Sequence, residues 1–198
     1  DRIKKLAASS LTSIKSNADA MADNAIRKVN FPNHPYSNIL TEATLQNITR
    51  EDMLTYYKAT FTPKGSYLVV VGDVTRSETE ALIDHYFKTW SGDEPQINKY
   101  ERRVPKNGNQ VYFIDKPGAV QSVIYVTFPV DMQIGDPNQI KTKLLNNILG
   151  GGGFGNRLTQ NLREDKGYTY GCKSQLNITD NGAWMTAGGN FRNTVTEI

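Results

Sequence analysis

The chain has 198 residues, of which 38% are hydrophobic and 16 are glycine, and its formal net charge is only +3. This composition is typical of a globular domain with its own core, and no apolar run approaches the roughly 18 residues that span a bilayer. Without a concentrated basic patch that interleaves aromatic residues, nucleic-acid binding is not expected. The single cysteine, Cys172, excludes an internal disulfide and a cysteine-rich zinc site.

The first 30 residues predict one long amphipathic helix. Its end is expected near Asn30, because Pro32 disfavours helical backbone in the residue before it. Apolar residues recur at steps of three and four along one face of this helix, namely Ile3, Leu6, Ala7, Leu11, Ile14, Ala18, Met21 and Ala25.

Two capped helices and a strand are predicted between residues 49 and 90. The hydroxyl of Thr49, followed by two acids, marks the start of the first helix. Thr75 and Glu78 form a capping box for the second. The apolar run 67–71 between them is short and rich in β-branched residues, which predicts a buried strand. An apolar stripe on the second helix is expected to face the core, formed by Leu82, Ile83, Tyr86, Phe87 and Trp90.

The second half of the chain alternates between strand and helix patterns. Its predicted elements are, in order, strands at 111–114 and 121–130, a helix from Asp136, a helix over 157–163, and strands at 168–178 and 182–188. Taken with the first half, this order predicts a two-layer α/β domain with helices on a mixed sheet.

A glycine cluster at 150–155 separates the two helices of this second half. It fits the dinucleotide pattern formally, but a helix precedes it where that fingerprint needs a strand. A phosphate-binding loop is also excluded, because Asn156 and Arg157 stand where Lys and then Ser or Thr are required. Two interpretations remain: a flexible turn between helices, and a mobile loop that lets the backbone approach a bound chain.

No set of zinc ligands is expected within this chain. Its two histidines, His34 and His85, lie far apart in the sequence, and neither has a second ligand at a suitable spacing. The motifs H-E-x-x-H and H-x-x-E-H are absent, as is the G-x-S-x-G motif of serine hydrolases.

Arg163, Tyr168 and Tyr170 form the strongest candidate site. Arg163 lies at a predicted helix end, and both tyrosines are expected on one face of the following strand. An arginine fork and a tyrosine hydroxyl that converge there could donate hydrogen bonds to a peptide carbonyl or a developing oxyanion. Alternatively, Arg163 pairs with a nearby acid and the tyrosines pack at a sheet edge.

The segment 149–171 resembles the glycine-rich loop and L-R-E-x-x-G-x-x-Y stretch in the second domain of pitrilysin/insulinase-type zinc metallopeptidases. Mitochondrial processing peptidase and the cytochrome bc1 core proteins share that architecture. Two upstream stretches, 33–37 and 48–74, support the resemblance in the same order along the chain.

The resemblance implies a fold and a domain organisation. It implies an α+β fold, a two-layer sandwich whose mixed, mostly antiparallel sheet carries helices on one face. Residues 1–30 correspond to a connecting helix. Residues 31–198 correspond to the C-terminal, inactive-type domain of one half, with its last helix cut short.

The resemblance also implies site residues. In this family one half holds zinc on H-x-x-E-H, and the facing half contributes an arginine and a tyrosine near the scissile peptide. Arg163 and Tyr170 match that pair in type and spacing, with Tyr168 as the rival. The loop that handles substrate corresponds to Gly150, Gly151, Gly152, Gly153 and Phe154.

The expected function is therefore part of a zinc-dependent metalloendopeptidase, with a peptide or unfolded protein as substrate. Zn²⁺ is expected in the parent protein or in a partner half, and this segment alone is not expected to be active. Two alternatives stay open: a non-catalytic scaffold or core-type subunit, and a peptide-binding module that uses exposed sheet edges without zinc. The compartment stays open as well, since the bacterial periplasm and the cytoplasm are both compatible with the sequence.

Overall fold

The computed structural model describes residues 2–95, 98, 100–101 and 108–196. The chain divides into two units, one formed by residues 1–41 with 100–198 and the other by residues 42–99. Every candidate site residue lies in the first unit. The boundary predicted at residue 30, between a connecting helix and a domain, stays a prediction.

The N-terminal segment forms two helices, α1 (Arg2–Ser16) and α2 (Ala18–Asn30). The prediction of one continuous helix is wrong at Asn17, whose side-chain oxygen accepts a hydrogen bond from Ala20 N at 3.0 Å. Asparagine competes for backbone groups in this way and so favours a helix start over a helix interior. The end at Asn30 is confirmed. Across the described ranges, no helix is long and apolar enough to cross a membrane.

A three-stranded antiparallel sheet forms the centre of the first unit, with strand order β1-β3-β2. The strands are β1 (Gln121–Val130), β2 (Thr169–Thr179) and β3 (Gly182–Arg192). The β2–β3 connection has only two residues, and Thr179 Oγ1 donates to Gly182 O across it at 2.7 Å. Strand β1 and the hairpin turn agree with the sequence prediction, and the α+β fold class is confirmed.

Helices contact both faces of this sheet. On one face, Asn30 Nδ2 at the end of α2 donates to Thr127 Oγ1 at 2.7 Å. Helix α6 (Gln139–Asn146) continues into a π-helical turn, Asn147–Gly151, which packs on β2 at Ser174. Because Ser174 is in register with Ala187 and Thr127 with Thr186, the two contacts lie on opposite faces. The end of α2 thus packs on one face of the sheet, and the turn after α6 packs on the other.

The second unit contains α3 (Glu42–Asn47), α4 (Arg50–Thr60) and α5 (Arg76–Phe87). The capping box at the start of α5 is confirmed, and α4 has one as well. The predicted core stripe of α5 is wrong, because Leu82 is 54% exposed and its apolar neighbours are exposed too. A helical stripe specifies which side of a helix is apolar, but it does not supply the element that would cover it.

The predicted strands 67–71 and 111–114 are also wrong as strands. Both segments have no strand pairing in the described part of the chain. Their side chains are largely exposed, and Val71 reaches 92%. A strand needs a hydrogen-bonding neighbour as well as a β-branched composition, and the composition alone does not specify that neighbour.

Candidate functional site

The glycine loop and the following helix are joined by one buried side chain, Asn156. Its Oδ1 accepts a hydrogen bond from Thr159 N at 2.9 Å, which caps the short helix α7 (Arg157–Thr159). Its Nδ2 donates to Gly152 O at 3.0 Å and to Gly153 O at 2.6 Å. Asn156 therefore determines how the glycine loop sits against the segment that carries Arg163.

Arg163 lies in the π-helical turn that follows α7, Gln160–Asp165. Its guanidinium carbon is 4.6 Å from the centroid of the Phe154 ring and 4.8 Å from that of Tyr170. Aromatic faces attract a cation through their quadrupole, typically by about 0.5–1 kcal/mol at exposed sites. The guanidinium contacts two rings, which come from the glycine loop and from the start of β2.

The nitrogens of Arg163 differ in their partners. Nε lies 3.3 Å from Glu164 Oε1, so the expected pairing with a nearby acid is present. Nη1 is buried and has no hydrogen-bond partner among the described residues. A buried donor without an acceptor costs about 1–3 kcal/mol. Within the described ranges, Arg163 therefore keeps one donor without a partner, beside the Phe154 and Tyr170 rings.

The structure brings Tyr170, and not Tyr168, to Arg163. Tyr170 is 83% exposed near the start of edge strand β2, and its ring forms one side of the arginine contact. Tyr168 precedes the strand and is half-buried, with Lys166 Nζ 5.8 Å from its ring centroid. An irregularity in the ladder between Thr169 and Cys172 interrupts the simple alternation on which the prediction of a shared face depended.

The glycine cluster divides into packed and open positions. A Cβ at Gly150 would lie 2.6 Å from Ser174 N and 2.7 Å from Leu158 Cδ1. A Cβ at Gly151 would collide with Asn146 Nδ2, and one at Gly152 would lie 2.8 Å from Asn147 O. A Cβ at Gly153 would meet nothing within 4 Å, and the Phe154 side chain beside it is 72% exposed. Tight packing therefore explains the first three glycines, whereas Gly153 and Phe154 form the accessible part of the predicted substrate loop.

Sequence reasoning missed Asn156 and Glu164 as parts of this site. A weak signal for Asn156 was present, because asparagine directly before a helical pattern is a preferred N-cap residue. The sequence predicted that Arg163 could pair with a nearby acid, but it did not identify Glu164 as that acid or indicate that Nη1 would lack a partner among the described residues.

The donor set of the described residues does not fit a zinc ion. No group of three or more His, Cys, Asp or Glu side chains is close enough to hold a metal within those ranges. His34 belongs to an aromatic cluster, where its Nδ1 accepts a hydrogen bond from Tyr36 N at 3.1 Å. Burial lowers the pKa of His34 below its ordinary value.

Comparisons with known proteins agree with the fold. Residues 47–192 match the family described as the peptidase M16 inactive domain. The crystal structure of a peptidase M16 inactive domain from Pseudomonas fluorescens superposes with a TM-score of 0.82 at 23% identity, covering 96% of this chain and 46% of that one. At this level of identity the superposition establishes the fold.

Two curated relatives carry different descriptions. The "Non-peptidase homolog YmxG" of Helicobacter pylori is 22% identical over 181 residues, or 90% of this chain and 41% of the relative. The "Uncharacterized zinc protease YmxG" of Bacillus subtilis is 24% identical over 185 residues, or 91% of this chain and 43% of the relative. The chain thus spans less than half the length of either relative.

Proposed function

Because this chain belongs to the peptidase M16 inactive-domain family, we propose that it is a non-metal part of a zinc-dependent metalloendopeptidase that binds the substrate peptide. The segment has no peptidase activity of its own. Two observations support this: the match to a domain described as inactive, and the lack of a fitting set of metal ligands in the described ranges.

The proposal depends mainly on Nη1 of Arg163, a hydrogen-bond donor that has no partner among the described residues. The guanidinium lies close to Phe154 and Tyr170, and Nη1 has no partner in the described part of the chain. Arginine remains charged at any physiological pH, and its hydrogen bonds to an oxygen carrying negative charge are about twice as strong as neutral ones. A substrate carbonyl is the ligand that such a donor accommodates best.

The assigned step is polar stabilisation of a peptide carbonyl. Nη1 of Arg163 donates to the carbonyl oxygen, and the exposed Tyr170 hydroxyl donates to the same oxygen or to the neighbouring carbonyl. Both donors gain strength as negative charge develops on the oxygen, so they favour the transition state over bound substrate. Removing one such donor typically lowers kcat on the order of 10²–10³-fold.

The residues that the structure describes do not provide a fitting set of zinc ligands. When it is bound in the other half of such an assembly, the metal polarises the carbonyl and activates a water molecule. The residues of this chain orient the peptide and hold their donors near the carbonyl oxygen.

A second candidate function is a scaffold subunit without peptidase activity in any assembly. The description of one relative as a non-peptidase homolog and the word "inactive" in the family description favour it. The other relative is described as a zinc protease, and an unpaired arginine donor beside an exposed tyrosine is not explained by a scaffold role alone.

Cleavage of a quenched fluorescent peptide library by the full-length protein, with any co-encoded partner, tests the proposal. Rates are measured with zinc and with a chelator, for wild type and for Arg163→Ala. Arg157→Ala is the matched control, because Arg157 is an exposed arginine on the same segment.

The proposal is supported if the rate of zinc-dependent cleavage falls on the order of 10²-fold or more in Arg163→Ala and stays near the wild-type rate in Arg157→Ala. Unchanged turnover in Arg163→Ala removes that residue from the mechanism. If no preparation cleaves any peptide with zinc present, the scaffold function replaces the proposed one.

A further inference from the structure

Two adjoining cavities form a trough on the sheet face that α2 partly covers. Their volumes are about 570 Å³ and about 490 Å³. Both are lined by Tyr125 of β1, Gln175 of β2 and Thr186 of β3. Because three side chains line both cavities, the two form one surface feature, which we call the sheet trough.

The sheet trough begins at the candidate site. Tyr170 lines its first cavity, together with the exposed side chain of Lys173. Gly188 also lines this cavity, and a Cβ there would collide with Ile124 O. A side chain larger than hydrogen is thus excluded from this position of the cavity lining.

The far end of the sheet trough is acidic and aromatic. Asp19 and Asp23, one helical turn apart on α2, line the second cavity with Tyr36 and Trp184. Asn190 Nδ2 donates to Asp19 Oδ2 at 3.4 Å, and its buried Oδ1 has no partner in the described chain. Burial, and next the charges of Asp19 and Asp23, raise the pKa of Tyr125, which lines both cavities.

Among the described residues, Arg27 is the cation that lines the same cavity. Its Nε donates to Tyr36 O at 3.0 Å and its Nη2 to Asn38 O at 3.1 Å. Two of its nitrogens are thus bonded to the loop that follows α2. The carboxylates of Asp19 and Asp23 keep oxygens that a ligand cation can approach.

We propose that the sheet trough binds an extended segment of the substrate peptide continuing from Tyr170, and that Asp19 and Asp23 select a lysine or arginine side chain in it. This inference rests on the proposed function, which places a peptide at Tyr170, and adds a substrate preference to it. The two ends of the trough differ in charge: Lys173 lies at the end near Tyr170, and the carboxylates of Asp19 and Asp23 lie at the end near α2. A peptide with a basic residue away from the bound carbonyl complements that polarity.

The trough lining suits a peptide chain in other respects. Amide and hydroxyl side chains, including those of Gln121, Gln175 and Thr186, can bond to backbone groups that would otherwise be desolvated. At the far end, Tyr36 and Trp184 offer apolar surface for the methylene stem of lysine or arginine while the charged head reaches the carboxylates.

Binding of two labelled peptides to the full-length protein tests the inference. The peptides are matched fluorescein-labelled dodecamers that carry either two lysines or two glutamines at the same positions. Fluorescence anisotropy is measured with a metal chelator, so that no cleavage occurs. The variants are the Asp19→Asn, Asp23→Asn double variant and a control, Asp84→Asn with Asp115→Asn, which removes two exposed carboxylates outside the trough.

Wild type is expected to bind the lysine peptide about fivefold more tightly than the glutamine peptide, a modest ratio because the carboxylates are exposed. The ratio falls to within about twofold in the Asp19/Asp23 variant and at high salt, and persists in the control. Asp23 is exposed, and its side chain makes no hydrogen bond to the described residues. Asp23→Lys is therefore expected to reverse the preference, so that the glutamine peptide binds more tightly than the lysine peptide.

Equal affinity of wild type for the two peptides, or a lysine preference that survives the double variant, overturns the inference. Its failure is distinguishable from failure of the proposed function, because binding is measured without turnover. If Arg163→Ala abolishes zinc-dependent cleavage but wild type shows no preference for the lysine peptide, only the proposal for the sheet trough is refuted. A lysine preference with no cleavage at all would refute only the catalytic role.

Discussion

Gly150→Ala is expected to destabilise the folded protein, because the packing around Gly150 leaves no room for a methyl group. Gly150 is buried in the π-helical turn after α6. An added Cβ would lie 2.6 Å from Ser174 N, 2.7 Å from Ser174 Oγ and 2.7 Å from Leu158 Cδ1. The Leu158 methyl can rotate, but Ser174 N belongs to the backbone of β2 and can move only if the turn separates from the sheet.

The magnitude follows from two opposing terms. Forcing a methyl group into a packed interior costs up to about 3 kcal/mol when backbone must shift. Alanine recovers about 1 kcal/mol, because glycine is the poorer helix former. The net loss in the free energy of unfolding is therefore up to about 2 kcal/mol, which corresponds to a fall in Tm of up to roughly 4–8 °C for a folding unit of 150–250 residues.

Gly153→Ala is the matched control, three residues along the same cluster. Its Cβ would meet nothing within 4 Å, so its free energy of unfolding is expected to change by less than about 1 kcal/mol. Urea unfolding followed by circular dichroism, with thermal melts, measures both variants. Equal stabilities of Gly150→Ala and Gly153→Ala would refute the argument that packing, and not substrate binding, requires glycine at position 150.

Tyr170→Phe keeps the ring beside Arg163 but removes its hydroxyl, so kcat for peptide cleavage is expected to fall on the order of 10²-fold. Tyr168→Phe should stay within about twofold of wild type, and equal effects would contradict the assignment. Burial lowers the pKa of His34 from 6.5, so the folded state binds this proton less readily than the unfolded chain. The stabilisation that comes from keeping His34 neutral in the folded state is therefore present above about pH 6.5, and it is lost as the pH falls through the lowered pKa. His34→Asn keeps an acceptor for the capping bond and should flatten that part of a stability–pH curve from urea unfolding. Burial also raises the pKa of Cys172, so a thiol reagent is expected to react at least about tenfold faster in urea than with native protein. Rapid labelling of the native state would show that Cys172 is accessible.

Local signals in the sequence predicted individual elements well. The alternation at 121–130 and the turn before Gly182 depend on neighbouring residues only, and both match the structure. The capping box of Thr75 and Glu78 is likewise formed within one helical turn. The same reasoning failed at 67–71 and along α5, where the prediction needed a distant partner to bury the apolar side chains.

The candidate site shows the same division. The residue types and spacing of Arg163 and Tyr170 were readable from the sequence and from the family resemblance. Which tyrosine contacts the arginine was not, because an irregularity between Thr169 and Cys172 shifts the strand register. The contact of Phe154 with Arg163 depends on the position of the glycine loop, which the buried Asn156 determines through bonds to two loop carbonyls.

The sequence by itself determined the α+β class, the family, the hairpin and the segment that carries the site, because each follows from residues close together along the chain or from a motif of fixed spacing. Only the tertiary structure decided that Nη1 of Arg163 has no partner among the described residues, that a Cβ at Gly150 would meet β2, and that α2 lies over the sheet trough. Those features depend on distances between segments far apart in sequence, such as the 171 positions that separate Asp19 from Asn190. Local periodicity carries no information about such distances, which packing and hydrogen bonding across the sheet establish.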